Sequence, residues 1–111
     1  MIENIGIDIV ENDRISKSIN VKFLNEVLTK EEQVIYEKKK GIKKLDFLCG
    51  RFAAKEAIIK ALNKLDNVHF LEITILNDAN KVPYVTCKKY NILVSISHEK
   101  KYTIAQAIVL K

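Results

Sequence analysis

A chain of 111 residues with 48% apolar and 30% charged side chains, three glycines and one proline excludes a disordered or linker-rich protein. It is long enough for one domain, residues 1–111, around one modest core. Nineteen basic against fourteen acidic side chains give +5, which suits an anionic partner or simply a lysine-rich solvated surface.

The first element is "NIGIDIVE", residues 4–11, a strand by strict alternation. Ile5, Ile7 and Ile9 point one way, and Gly6, Asp8 and Val10 the other. Asp8 is out of character there, because an unpaired carboxylate is costly to bury. "ENDRISKSI" can then open a short helix with Asn12 or Asp13 as cap, and "VKFLNEVL" adds a helical turn. Thr29 with Glu32 spells a capping box for a helix that fades near Lys40 and stops at Gly41. The longest helix is expected from about Lys44 to Leu62, with Phe47, Ala54, Ile58, Ala61 and Leu65 in its apolar stripe. The second half changes period. "FLEITIL" (70–76) and "PYVTCK" (83–88) read as strands joined by "NDAN", and "NILVSIS" (91–97) and "YTIAQAIVL" (102–110) as a second pair joined by "HEKK". A strand, three helices and four strands make an α+β fold, helices packed on a mainly antiparallel sheet.

Neither Cys49 nor Cys87 sits in a metal-binding spacing, and both are expected as packed thiols. No apolar run is long enough to cross a membrane, and the N-terminus lacks the pattern of a signal peptide. A cytoplasmic location without membrane insertion is the expectation.

The long helix carries "GRFAAKEAIIKAL", residues 50–62. Phe52, Glu56 and Lys60 are four apart and share one row; Arg51 and Lys55 form the next. Apolar side chains on several flanks imply burial on more than one side. If the first strand packs on this helix, Asp8 and Glu56 converge. Two carboxylates without His or Cys suit a hard cation, above all Mg²⁺, with Arg51, Lys55 and Lys60 facing phosphate oxygens. A buried ion pair of Asp8 with Lys55 or Lys60 is the competing reading. "SISH" (95–98) places Ser95 and Ser97 on one strand face and His98 at the strand end, either a ligand contact or an exposed loop residue. His69 has no evident partner and reads as structural. Paired acids in a basic chain also suit a Mg²⁺-dependent phosphodiesterase or nuclease, which would need a further carboxylate or His near the metal. A nucleic-acid module is disfavoured, since aromatics are only 7% and form no ladder with basic residues.

Three segments in this order, "IGIDIVENDRI", "FLCGRFAAKEAIIKAL" and "VSISH", resemble the holo-[acyl-carrier-protein] synthases, the small bacterial type of 4′-phosphopantetheinyl transferase, over essentially the full length. The resemblance implies transfer of 4′-phosphopantetheine from coenzyme A to a serine of acyl carrier protein, with adenosine 3′,5′-bisphosphate as by-product. It implies Asp8 and Glu56 as Mg²⁺ ligands and Lys60 as a catalytic neighbour. Glu56 or a metal-bound water would accept the serine proton. It further implies Arg51, Lys60, Ser97, His98 and Pro83 around coenzyme A, and Arg14 and Lys22 toward the acidic carrier protein. A homotrimer with active sites between subunits is implied too, and would explain the apolar flanks of the long helix. Family glycines after the helix are absent from "ALNKLDN", and of a Gly-Lys-Pro turn only Pro83 and its neighbour Tyr84 remain in "NKVPYV".

Overall fold

A computed structural model describes residues 1–111. Strand β1 (Ile2–Glu11) leads into helices α1 (Asn12–Ser18), α2 (Val21–Val27), α3 (Lys30–Lys38) and α4 (Gly41–Leu62). A single 3-10 turn (Phe70–Glu72) precedes strands β2 (Thr74–Asn77), β3 (Pro83–Thr86), β4 (Asn91–His98) and β5 (Tyr102–Leu110). The α+β plan holds, with four helices rather than three, because the turn expected at 21–28 is a helix in its own right. Its Asn20 side chain accepts the Phe23 N–H, giving it a proper start.

The main sheet is antiparallel in the order β1-β5-β4, and β2-β3 form a separate hairpin that packs beside β4. Asp8 pairs with Ala105 and Val10 with Thr103, while β4 sets Ile96 against Ala105 and His98 against Thr103. Helix α4 crosses this sheet on small residues. Ala53, Ala57 and Ala61 are fully buried, as are Ala105 and Ala107 opposite them. Gly6 shows how near the layers are: a Cβ there would fall 2.0 Å from the Ala57 carbonyl oxygen.

The other flank of α4 is covered by α1–α3. Ile15, Val27, Leu28, Tyr36, Phe47 and Leu48 form a second cluster there. The apolar flanks of the long helix are therefore met by its own chain, and the expectation that a neighbouring subunit covers one of them is corrected. The uncovered apolar surface lies elsewhere. Ile5, Ile7 and Ile9 are 54%, 61% and 59% exposed on the far side of β1, in line with Ile104 of β5 and Leu93 of β4.

One buried ion pair fastens the helices to the hairpin. The Lys55 ammonium donates to Glu32, to the Val27 carbonyl at 2.7 Å and to the Phe70 carbonyl at 3.2 Å. Glu32 in turn accepts the Thr29 N–H and, through its other oxygen, the Ile75 N–H, each at 2.8 Å. The capping box read from the sequence thus forms, and its glutamate also anchors β2. Burial pushes the Lys55 ammonium below its usual range, against the opposing pull of Glu32.

Several boundaries differ from the sequence expectation. Gly41 has φ 59°, but the left-handed turn it permits launches α4 instead of only closing α3. Glu11 occupies the cap position of α1 with no side-chain bond, and Asn12 is already helical. Residues 70–72 form a helical turn rather than the start of a strand, because Glu72 folds back to accept the His69 N–H at 3.0 Å. The end of α4 needs no glycine: Asn63 stays right-handed, and the Leu65 and Asp66 N–H groups close onto the Leu62 carbonyl. Leu65, expected in the stripe, lies past the helix and is exposed. Both cysteines are free and buried, and burial, reinforced by Asp46, pushes the Cys49 thiol up to about 11. No helix is long and apolar enough to cross a membrane.

Candidate functional site

The site begins with the contact between β1 and α4. Because Gly6 lets the strand lie against the helix backbone, Asp8, two residues on and on the same face, arrives beside the row of Glu56 and Lys60. Lys60 Nζ donates to Asp8 Oδ1 at 3.0 Å and to the Ile7 carbonyl at 3.1 Å. Part of the competing reading is thus correct, since Asp8 does pair with a lysine. It is Lys60 and not Lys55. Glu56 has no such partner. Partial burial, then the charge of Asp8, holds its carboxyl above the usual range, while Lys60 pulls it down.

Both carboxylates open into a cleft of about 540 Å³ between β1, α1, α2 and α4. Arg14 stands at its α1 side, and Phe23, Phe52, Val10 and Ile15 supply apolar walls. The Phe23 and Phe52 rings stack with centroids 5.9 Å apart, and Phe70 meets Phe52 edge-on at 5.4 Å. The sequence does not single out this aromatic wall, although Phe52 stands in the Glu56 row at i, i+4 spacing.

The donor chemistry fits a hard divalent cation. Two carboxylates converge and one ammonium, that of Lys60, pairs with Asp8, so the site is one positive charge short of neutral; burial first, then the charge of Asp8, raises Glu56. Nowhere does the fold gather three or more His, Cys, Asp or Glu residues. A two-carboxylate set leaves most positions of an octahedral ion to water and to phosphate oxygens, the usual arrangement for Mg²⁺. The nuclease reading lacks the third acid or histidine that it requires.

The remaining residues fall in three places. Lys55 is sealed in its pair with Glu32 and cannot face a phosphate at this site; that expectation is corrected. Arg51 is buried as well. It rests on the Phe47 ring at 4.2 Å and donates to the Ile75 carbonyl and to Asn77, the β2 residue that pairs with Pro83. Burial pushes it down to about 10, with Glu32 pulling the other way. His98 ends β4 above Gly50, whose Cβ would lie 3.1 Å from its Cε1. Ser97, one residue earlier, points to the uncovered side of the sheet, where it pairs with Ile104. Lys22 is exposed on α2 and lies 3.9 Å from Glu26, outside the cleft that Arg14 lines. Within one chain, then, Asp8, Glu56, Lys60 and Arg14 come together, while Arg51, Pro83, Ser97 and His98 do not join them.

The comparisons with known proteins agree with this geometry. Residues 4–108 match the 4′-phosphopantetheinyl transferase superfamily. The holo-[acyl-carrier-protein] synthase of Geobacillus sp. (strain WCH70) is 47% identical over 98% of this chain and 97% of its own length. The crystal structure of a holo-(acyl-carrier-protein) synthase from Bacillus anthracis str. Ames in complex with CoA (3′,5′-ADP) superposes with a TM-score of 0.89 at 37% identity, covering 98% of this chain and 96% of that one. The Helicobacter pylori enzyme in complex with coenzyme A gives 0.82 at 33% identity, over 96% and 99% of the two chains. With the family model matched over residues 4–108 and relatives aligned along nearly the whole chain, the protein belongs to the holo-[acyl-carrier-protein] synthase family of 4′-phosphopantetheinyl transferases.

Proposed function

We propose that this protein transfers the 4′-phosphopantetheine arm of coenzyme A to a serine hydroxyl of an apo acyl carrier protein, releasing adenosine 3′,5′-bisphosphate and so serving fatty acid biosynthesis in the cytoplasm. The observation that carries the reading is the convergence of Asp8, Glu56 and Lys60 in a cleft bordered by Arg14, in a chain that matches this family from residue 4 to 108.

Asp8 and Glu56 would hold Mg²⁺, which when bound supplies charge neutralisation on the coenzyme A pyrophosphate. Lys60, already anchored by Asp8 and the Ile7 carbonyl, presents its ammonium to the same oxygens as charge shifts to the leaving bisphosphate. Glu56 is the better placed proton acceptor for the serine. Its carboxylate makes no hydrogen bond within the protein, so with one oxygen on the cation the other is left for the serine proton. Attack by the serine oxygen on the β-phosphorus then breaks the pyrophosphate bond, and the serine proton goes to Glu56. Arg14, on the same cleft, faces the approach of an acidic carrier, with Lys22 extending the basic surface along α2.

Arg51, Ser97, Pro83 and His98 belong to the coenzyme site in this reading, and a homotrimer supplies them from a neighbouring chain. Support comes from distance and from the bare sheet face. His98 lies over Gly50, six residues before Glu56 and hence about 9 Å along α4. The exposed isoleucines of β1, with Ile104 and Leu93, form an apolar patch with Gln106 at its centre and Ser95 and Ser97 on its β4 edge, suited to burial against further copies.

Mass spectrometry of apo carrier protein after incubation with enzyme, coenzyme A and Mg²⁺ tests the activity. One phosphopantetheine is expected on one serine, and none with a folded Asp8→Ala variant; no gain by the unaltered enzyme with several carriers sinks the reading. For assembly, Ile7→Asp is expected to give monomers in sedimentation equilibrium and to lose transfer together with trimer. A fully active monomer would refute the shared site.

A further inference from the structure

A chain of hydrogen bonds beside the Asp8–Glu56 cleft, starting next to its lining residues Glu11 and Tyr102, ends on His98. It starts at Asn12, which is 5% exposed although it opens a surface helix. The Asn12 Nδ2 donates to the Glu99 carbonyl at 2.9 Å and the Lys100 carbonyl at 3.2 Å, and its backbone N–H donates to the Lys101 carbonyl at 2.8 Å. Carbonyl oxygens only accept, so the side-chain amide cannot be turned round. Its Oδ1 must face Thr103, and the Thr103 hydroxyl donates to it at 2.7 Å. A hydroxyl has one hydrogen. With that hydrogen spent on Asn12, Thr103 Oγ1 can only accept, and its neighbour is His98 Nδ1 at 3.1 Å. Nδ1 must therefore carry a hydrogen. Free histidine prefers the opposite tautomer, with hydrogen on Nε2; the partner of one ring nitrogen decides the state of the other.

We infer that Asn12 and Thr103 are positioning residues that lock His98 as the Nδ1–H tautomer and reserve Nε2 as its one proton-accepting, ligand-facing nitrogen. Of the two ring nitrogens only Nδ1 has a protein partner. Gly50 gives the ring its seat, since any Cβ there would crowd Cε1 at 3.1 Å and Nε2 at 3.3 Å. The functional half of the inference rests on the proposed reading of His98 as a phosphate contact for coenzyme A. A phosphate needs a donor, so Nε2 takes up a proton as the anion arrives. The resulting imidazolium keeps Nδ1–H on Thr103 and points Nε2–H at the phosphate oxygen. The other tautomer would set two lone pairs against each other at Thr103 and break the relay. The same bonds tie the start of α1, which carries Arg14, to the β4–β5 turn, so the carrier-facing helix and the coenzyme-facing histidine share one support.

Nitrogen-15 NMR of the intact, labelled protein at mildly alkaline pH reads the tautomer directly, with His69 as internal comparison. His98 Nδ1 is expected in the protonated range and Nε2 in the unprotonated range. Thr103→Val removes the acceptor without changing the side-chain outline, and is expected to return His98 to the Nε2–H form; Thr103→Ser restores Nδ1–H. Asn12→Ala frees the Thr103 hydrogen to turn toward Nδ1 and is expected to shift the tautomer in the same direction as Thr103→Val. In transfer assays Thr103→Val should raise KM for coenzyme A about tenfold, more than it lowers kcat, with recovery in Thr103→Ser. With adenosine 3′,5′-bisphosphate added, both His98 nitrogens should move into the protonated range. Nε2–H in the unaltered protein overturns the relay whatever the enzyme transfers. A locked Nδ1–H tautomer with Nε2 unmoved by the bisphosphate overturns the ligand-facing half. A protein that transfers nothing but shows both NMR results would count against the proposed activity and leave the relay standing.

Discussion

Gly6→Ala tests how the fold makes the site. The added Cβ would lie 2.0 Å from the Ala57 oxygen, 2.9 Å from the Ala61 nitrogen and 3.1 Å from the Ala57 carbonyl carbon. All three atoms are backbone, so no side chain can rotate away. An ordinary carbon–oxygen contact of about 3.3 Å requires β1 and α4 to part by roughly 1.3 Å. Overpacking of this kind costs about 1–3 kcal/mol, and each kcal/mol lowers Tm by about 4–8 °C in a domain near this size. The same opening carries Asp8 away from Glu56 and Lys60, and misplacement of about 1 Å costs on the order of 100-fold in rate. Thermal melting by circular dichroism and transfer by mass spectrometry are to be read on one preparation. An alanine variant that melts with the unaltered protein and transfers at its rate would refute the close-approach argument.

Three further outcomes are expected. Glu56→Gln should abolish transfer yet raise thermal stability at neutral pH. Burial and Asp8 hold the Glu56 pKa above its unfolded value, so its favourable contribution is complete at low pH and is lost as pH rises through the folded value. The gap in Tm between variant and parent should therefore open as pH rises past the carboxylate range and close below it; an equal gap at all pH values would contradict the assignment. Lys55→Met should cost about 3–5 kcal/mol in denaturant unfolding because it leaves the buried Glu32 without its ion-pair partner; a neutral effect would refute the role given to this pair. Arg14→Glu should raise KM for carrier protein by about tenfold or more while leaving KM for coenzyme A nearly unchanged, and equal damage to both would move Arg14 into the coenzyme site.

What the sequence disclosed followed from local rules. Thr29 and Glu32 are three residues apart, and their capping box depends on nothing else. Tyr102–Leu110 follows directly on the polar HEKK turn and forms a strand with the expected bounds. The meeting of Asp8 and Glu56 needed only a strand, a helix and their packing. What stayed hidden depended on partners distant in sequence. The sequence offers Lys55 as a phosphate contact or as a partner of Asp8, whereas its partner is Glu32, 23 residues earlier. Asn12 looked like a helix cap, but its bonds go to carbonyls 87 and 88 residues later.

Alternation also left one choice open: it sorts the residues of β1 onto two faces without saying which is inside. Apolar content alone favours Ile5, Ile7 and Ile9 as the core face. The helix backbone decides otherwise, because only the face with Gly6 can approach Ala57 and Ala61. Side chains in a strand have a period of two, so turning Asp8 toward α4 turns all three isoleucines outward. A slip of one residue would bury the isoleucines and remove Asp8 from Glu56. The carboxylate site and the bare apolar face are thus set by a single register. Whatever covers that face therefore holds β1 in the register that keeps Asp8 in place, so loss of the cover should weaken the carboxylate site even where no residue of the partner reaches it.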